Sequence, residues 1–468
     1  MRTVNAAQTK ALQAAERGTY FKVEVQPRGT GAWNDLTNLF GFNFVKSASV
    51  TDSIDTPSAS MEVNCARKIF DYSLSPFVVG SKLNAQSTLL YPNDPIRLSV
   101  CVTEANSGPD TWVKIFYGRI FEIQVAGVND IKLQCHDYCG QLISLWWPSN
   151  SYTFGQPTGG VPAENLMQQL LGQADGAGGG PSAAYSLLGS GYTGPVSNSV
   201  VLNKIYSVNG TVGTPFNPSD SPGFQVLFFT QDLMPVYTAL QNMASLTGWL
   251  LKQKWQNNLG DYALMWFDPL RSNTTPTWTF DPSQYYDITE CSIHLGDIRN
   301  VIAVPYVDNT GTPQTKFAWD TASINTYGLQ FMRMAEEATT ALYDGTKAAS
   351  LANVVLTDLK DPVMTHNASV PLFWPVEICD VYTFKANGEH YDSNQTLAVQ
   401  SYTHNFTTQG KSTTELSLSG RPSAGQRVWI DRQMINIRRQ FGANNQNLYT
   451  ELSGNLYPNG LFGQVSGK

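Results

Sequence analysis

The chain is 468 residues long, with 42% hydrophobic and only 14% charged residues, and its net charge is −7. Soluble domains average about 25% charged residues and roughly 150 residues in length, so we expect about three units whose surfaces stay soluble through uncharged polar groups. The acidic balance excludes an overall electrostatic footprint for nucleic acid.

The cysteines and the N-terminal residues indicate the compartment. The six cysteines are too few and too scattered for a disulfide framework, and we expect buried thiols. Residues 1–20 lack the apolar core of a signal peptide, and no run reaches the roughly 18 apolar residues of a membrane helix. We therefore expect synthesis in a cytoplasm and no membrane segment.

The first third of the chain predicts a β-domain behind a short arm. Residues 1–19 are rich in helix formers up to Gly18, which predicts an N-terminal helical arm. From Tyr20 onward, polar and apolar residues alternate with a period of two. Residues 97–102, 112–125 and 130–136 repeat this pattern between turn clusters. We predict a first barrel-like β-domain over residues 20–147.

The middle of the chain predicts two different segments. Residues 148–231 are crowded with Gly, Pro, Ser and Asn, which is typical of a loop-rich insertion. In residues 232–276, Asp232 is placed to cap a helix that Gly248 ends. Two alternating segments around a turn at residues 257–260 then predict a hairpin. This second segment is predicted to be a small α+β unit.

Strands dominate again from residue 277. Alternating segments at residues 298–304, 315–319, 376–384, 396–403 and 412–419 are interrupted by one helix that ends before Pro362. We predict a second β-domain over residues 277–422 and a C-terminal arm over residues 423–468. The fold class is therefore mainly β, α+β overall, with two β-barrel domains joined by the insertion and the small unit.

Motifs for catalysis and cofactor binding are missing from the sequence. There is no Gly-x-Ser-x-Gly elbow, no His-Glu-x-x-His pair and no calcium loop. Cys135-His136-x-x-Cys139 lacks the second close pair that a zinc site needs, and Cys135 continues the apolar face of its strand. His390 and His404 are expected to be packed or surface histidines. We predict no catalytic, cofactor-binding or metal site, and therefore a protein that is not an enzyme.

One short stretch is strongly basic. Residues 420–441 carry a local charge of +4, which leaves −11 on the rest of the chain. A solvated or interface segment is the simplest interpretation. The sharper hypothesis is an arm that grips an acidic neighbouring subunit, and nucleic-acid contact is a third. The candidate partner-contact residues are Arg421, Arg427, Arg432, Arg438 and Arg439.

The order of several short motifs after residue 287 carries a family resemblance. These are Asp287-Ile288-Thr289-Glu290, the stretch 296–304 with Asp297-Ile298-Arg299-Asn300, Asp320-x-x-Ser323-Ile324-x-x-Tyr327-Gly328, the stretch 376–381, and the stretch 416–422. The series resembles the baseplate or tail-tip hub proteins of tailed bacteriophages. In that family the late motif reads Glu-x-Gly-Asp. Here Cys379 stands where it often has Gly, which puts the tight turn in question.

The resemblance implies a mechanical function in the virion. Such hubs are homotrimers with tail-tube-like barrels. They join the six-fold tail tube or distal tail ring to a three-fold central spike or fibre, and the tape-measure protein is a further candidate partner. Genomic DNA passes through their channel without specific binding. The alternatives are a distal tail ring subunit, a receptor-binding tail protein and, less favoured, a tail-associated peptidoglycan hydrolase.

The two predicted β-domains also suggest an internal duplication. Residues 95–100, 112–125 and 131–135 of the first domain follow the same order as residues 376–381, 397–404 and 414–418 of the second, with a faint sequence match. A three-fold ring with two similar domains per subunit would offer six near-equivalent surfaces to a six-fold tube ring.

Overall fold

The structure is a computed structural model, and it describes the following residues: 2–14, 17–27, 31–39, 43–66, 90, 92–104, 108–109, 111–125, 130–137, 139–140, 152–155, 161–162, 225–226, 228–231, 237–238, 241, 250–256, 261–267, 275–284, 287–293, 298–308, 310–334, 345–362, 364–386, 388, 393–408 and 411–420. The chain divides into two compact units. The first joins Met1–Gly296 to Pro362–Gly425, and the second is described between residues 298 and 361.

The first unit begins with helix α1 (Ala6–Gln13), shorter than the predicted arm, and seven strands. The strands are β1 (Arg17–Val25), β2 (Asn34–Asp35), β3 (Val45–Ser53), β4 (Ser60–Ala66), β5 (Pro95–Glu104), β6 (Val113–Val125) and β7 (Asp130–His136). The alternation of buried and partly exposed side chains explains why these segments form strands. In β4 and β7 every second side chain is buried, so Met61, Val63 and Cys65 pack beside Ile131 and Leu133.

The remaining strands of the first unit lie further along the chain. They are β8 (Tyr152–Gly155), β9 (Val161–Pro162), β10 (Gln225–Val226), β11 (Phe228–Gln231), β12 (Leu250–Gln256), β13 (Asp261–Phe267), β14 (Trp278–Phe280) and β15 (Asp287–Ile293), with a 3₁₀ turn at Pro282–Gln284. After the second unit come β19 (Met364–Pro371), β20 (Val381–Phe384), β21 (Gln395–Thr407) and β22 (Thr413–Ser419). The predicted hairpin is confirmed as β12–β13. The predicted strand at residues 376–384 begins only at Val381.

The second unit is a small sheet with a helix on one face. It contains β16 (Val301–Val307), β17 (Pro313–Trp319), α2 (Thr321–Tyr327), β18 (Phe331–Arg333) and α3 (Gly345–Leu359), and its strand order is β17-β16-β18. Helix α3 packs on β16 and β17. No helix among the described residues is long and apolar enough to cross a membrane.

Asn300 and Asp320, from the motifs named above, hold this second unit together. The buried Asn300 side chain donates to the Gly328 carbonyl at 2.7 Å and accepts from the Gln330 N–H at 2.7 Å. Asp320 caps α2 by accepting from the Ser323 N–H at 2.9 Å. One hydrogen-bond network therefore joins the start of β16 to both ends of α2.

Thirteen strands of the first unit form one sheet. Its order is β15-β19-β22-β21-β3-β4-β7-β6-β5-β1-β2, and β20 branches from β21 and carries β14. The mainly β class is confirmed. The predicted closure into two barrels is wrong for the described strands. Residues 401–407 of β21 pair with residues 47–53 of β3, so the two halves join edge to edge in an open sheet instead of each closing on itself.

The two halves of this sheet have the same topology. In chain order, β3, β4, β5, β6 and β7 form the antiparallel path β3-β4-β7-β6-β5, and β15, β19, β20, β21 and β22 form the antiparallel path β15-β19-β22-β21-β20. The predicted shared strand order is confirmed.

The register repeats as well. Met61 lies opposite Cys135 in the first half, as His366 lies opposite Leu418 in the second. The long strands β6 and β21 also carry the same β-bulge. Phe121 is the extra residue in the pairing of β6 with β7, and Gln400 is the extra residue in the pairing of β21 with β22.

Candidate assembly site

A pair of equivalent tight corners marks the same point in each half. Asn93 and Cys379 are the two described non-glycine residues with positive φ, at 75° and 68°. The Asn93 N–H donates to the Ile120 carbonyl at 2.6 Å, and the Cys379 N–H donates to the Val399 carbonyl at 3.0 Å. Cys379 therefore makes a tight turn that Gly would adopt without strain, at the cost of a left-handed backbone.

The residue after each corner completes the contact. The Ile120 N–H donates to the Asp94 carbonyl at 3.0 Å, and the Val399 N–H donates to the Asp380 carbonyl at 2.8 Å. Both aspartates are buried. The Asp380 carboxylate accepts from the Glu377 N–H at 2.9 Å and from the Tyr382 hydroxyl at 2.8 Å. Each corner thus occupies one residue on the edge of a long strand and leaves the following residues of that edge available.

In the second half, the available edge is where the first half attaches. Beyond Val399, the Gln400 carbonyl accepts from the Ile54 N–H at 2.8 Å, and the β21–β3 ladder follows. The Thr51 and Thr403 hydroxyl groups meet across this junction at 3.0 Å. The junction between the halves is therefore an ordinary antiparallel pairing with a defined register.

The β12–β13 hairpin binds to both halves beside the junction. Lys252 forms a buried ion pair with Asp52 of β3 at 2.7 Å. The Gln253 amide donates to the Tyr117 carbonyl of β6 at 2.9 Å. The N–H of Trp255 donates to Glu377, just before β20, at 3.0 Å. One strand of the hairpin therefore fixes the first half against the second.

Arg2 adds a second brace at the same place. Its guanidinium is 2% exposed and donates to the Lys114 carbonyl at 2.7 Å and to the Tyr262 hydroxyl. It lies 3.7 Å from Glu377 and stacks over the rings of Trp255 and Tyr262, at 5.3 and 5.0 Å from their centroids. Burial raises the pKa of Tyr262 to about 12, so this hydroxyl stays neutral and can accept from Arg2.

Two further buried groups have shifted pKa values. Burial and the nearby charge of Asp52 raise the pKa of Asp137 to about 7, although Asp137 accepts from the N–H groups of Ala59 and Gly140 at 3.0 and 3.2 Å. Burial lowers the pKa of His404 to about 3, and its Nδ1 lies 2.9 Å from the Thr414 hydroxyl. His404 is a packed histidine, as the sequence indicates.

The zinc hypothesis has no geometric support. Cys135 and Cys139 are buried, and burial raises the pKa of each thiol well above its ordinary value, so neither is a ready thiolate ligand. Within the described part of the chain, no group of three or more His, Cys, Asp and Glu side chains could hold a metal ion.

Other predicted site residues lie outside the described residues. These are His390 and the five arginines Arg421, Arg427, Arg432, Arg438 and Arg439. No sequence signal points to Arg2, because the N-terminal residues show only the pattern of a short helix. The two corners do share a sequence feature that could have predicted them. In each, the positive-φ residue is followed by an aspartate, Asp94 or Asp380, that directly precedes a strand.

Among the strand edges that meet no other described strand, two belong to the duplicated halves of the large sheet. One is the edge of β6 beyond the first corner, from Glu122 to Val125, on the side opposite β7. The other is the side of β15 opposite β19. Phe121, at the bulge of β6, is 63% exposed. An open edge beside an exposed aromatic ring can template pairing with another chain.

The chain shares its fold with a solved tail protein. A tail protein from Neisseria meningitidis matches 88% of this chain and 98% of its own, at 12% identity and a TM-score of 0.50. A 43 kDa tail protein of prophage MuSo2 from Shewanella oneidensis matches 87% and 99%, at 12% identity and a TM-score of 0.49. A prophage tail protein from Listeria monocytogenes matches 89% and 98%, at 11% identity and a TM-score of 0.45. No protein-family model and no curated protein sequence matches the chain.

Proposed function

We propose that this chain is a structural, non-enzymatic protein of a phage tail tip, and specifically its trimeric hub. The observation that carries the proposal is the duplicated five-strand sheet, in which two halves share strand order, register and bulge. The fold shared with the tail protein from Neisseria meningitidis supports the same assignment.

The duplication gives the hub its mechanical use. Three copies carry six near-equivalent halves, so one ring can match a six-fold tail tube or distal tail ring on one side. The same ring keeps three-fold symmetry for a spike or fibre on the other. In this proposal the C-terminal arm, residues 423–468, and its arginines contact an acidic neighbouring subunit.

The net negative charge of the chain is compatible with the passage of DNA through such a ring. A wall that neutralised phosphates would bind DNA with an affinity that grows with each contact, through counterion release. The net charge of the chain is −7, so we propose that the genome passes without specific binding during ejection into the host.

Copy number in the particle tests the proposal. We expect electron microscopy of the virion to place three copies at the tail tip, between the tube and the central spike or fibre. Six copies would identify a distal ring subunit instead, and a peripheral location would identify a receptor-binding protein. Incubation of the purified protein with peptidoglycan should release no fragments. Lysis that a single His or Glu substitution abolishes would contradict the non-enzymatic assignment.

A further inference from the structure

We infer that the open edge of β6 pairs antiparallel with the outer edge of β15 from a second copy of this chain, in the register that β21 and β3 already use inside one chain. The inference rests on the proposed ring of hub subunits and names the surfaces that close it. It follows from three equivalences in the sheet.

The first equivalence is between β6 and β21. Each long strand pairs with its successor along one edge through the same bulge, and along the other edge each receives a corner, at Ile120 and at Val399. In β21 the edge beyond the corner binds β3. In β6 the corresponding residues 122–125 meet no described strand on that side.

The second equivalence is between β15 and β3. Each is the outer neighbour of an equivalent strand, β19 for β15 and β4 for β3. The far side of β3 is covered by β21, whereas the far side of β15 has no partner among the described strands. The open edge of β6 therefore corresponds to the edge of β21 at the internal junction, and the open edge of β15 corresponds to the edge of β3 that pairs with it.

The third equivalence sets the register. Gln124 corresponds to Thr403, because β6 and β21 align at their bulges. Ser292 corresponds to Thr51, because Ser292 lies opposite Thr365 as Thr51 lies opposite Ser60. Since Thr51 and Thr403 are direct partners, the predicted junction places Gln124 of one copy opposite Ser292 of the next.

The exposure of the bulge residues agrees with this pairing. Gln400, at the bulge of β21, has a buried amide nitrogen, and its carbonyl accepts from Ile54 across the internal junction. Its counterpart Phe121 is 63% exposed. A second copy on the β6 edge would cover this ring. Because the two edges differ, the contact is head to tail, and in the proposed hub three such contacts close the ring.

Paired cysteines test the register directly. We expect Gln124→Cys with Ser292→Cys, in a Cys291→Ser background, to form disulfide-linked dimers and trimers of the full-length protein under mild oxidation on a non-reducing gel. The matched control is Thr51→Cys with Thr403→Cys in the same background. It reproduces the same junction inside one chain and should link without any increase in mass.

Two more variants separate the outcomes. Gln124→Cys with Glu290→Cys shifts the register by two residues and should give far less cross-linking, and Phe121→Ser should weaken association at least several-fold in light scattering. A trimer that links only through the shifted pair, or through neither pair, would overturn the strand pairing and leave the hub proposal intact. A protein that stays monomeric at all concentrations would overturn both.

Discussion

At the scale of single residues, the left-handed corners are the places where backbone conformation and side chain conflict. Asparagine tolerates positive φ better than other non-glycine residues, and cysteine does not. We expect Cys379→Gly to raise the free energy of unfolding by about 1 kcal/mol and Asn93→Gly to raise it less. Chemical denaturation measures both. An equal gain from Cys379→Ala would show that backbone strain is not the cause.

Arg2 is the residue whose loss should cost most. Its guanidinium is buried among Glu377, Tyr262 and Trp255, so its removal leaves the Glu377 carboxylate with Lys254, at 3.9 Å, as its remaining cation and takes a buried donor from Tyr262. We expect Arg2→Ala to lower the free energy of unfolding by about 3–5 kcal/mol. Arg2→Lys keeps the charge but loses the forked donors, and its loss should be smaller. Equal losses in urea titrations would contradict this role of charge.

Asp137 should make stability depend on pH. Its pKa is about 7 in the folded protein and near the ordinary value of 3.8 when unfolded. Its contribution is therefore fully present below pH 4 and is lost as the pH rises through 7. We expect the stability of Asp137→Asn, relative to the parent protein, to increase from pH 4 to pH 8. A difference that stays constant across this range would contradict the raised pKa.

His404 changes stability in the opposite direction. Its folded pKa, about 3, is below the ordinary value of 6.5. The contribution of its neutral form is therefore present above pH 6.5 and is lost as the pH falls toward 3. Comparison of Asp137→Asn with the parent protein isolates the aspartate, because both proteins keep His404.

At the scale of elements, the second unit separates a packed face from an exposed one. Ile302 and Met332 are buried on the face that α3 covers, whereas Trp319 and Phe331 flank Val301 on the other face and are 63% and 52% exposed. We expect Ile302→Ala to cost about 2–4 kcal/mol of unfolding free energy, and Trp319→Ser less than about 1 kcal/mol. Thermal denaturation of both variants checks this. Comparable losses would mean that the aromatic face is packed.

Elements with strong alternation could be predicted from sequence, and those without it could not. Residues 130–136 predict β7, because apolar residues fill every second position, and the same alternation runs through residues 121–125 at the end of β6. Strand β3 shows no such signal. Its buried face includes the small Ala48 and the charged Asp52, which is stabilised by Lys252 from a distant hairpin. Long-range pairing of this kind leaves no local trace in the chain.

At the scale of the whole molecule, the duplication could be predicted from sequence, whereas the joining of the two halves into one open sheet could not. Similar strands in similar order predict two similar halves. Which edges then pair depends on contacts far apart in sequence, such as Thr51 with Thr403. The candidate assembly site was missed for the same reason, since Arg2, Asp52 and Glu377 come together only after the sheet has formed.

The second unit is inserted in the chain between β15 and β19, which are paired strands of the sheet, and this connection is a grafting point. Ile293, at the end of β15, lies directly opposite Met364, at the start of β19. The chain leaves and returns at adjacent positions, where the equivalent strands β3 and β4 are connected by residues 54–59 alone. Because Ile293 and Met364 are paired, we expect that residues 294–363 can be removed without disturbing the sheet. Replacing them with a tight turn should leave the sheet folded, and foreign domains with adjacent termini could be displayed there.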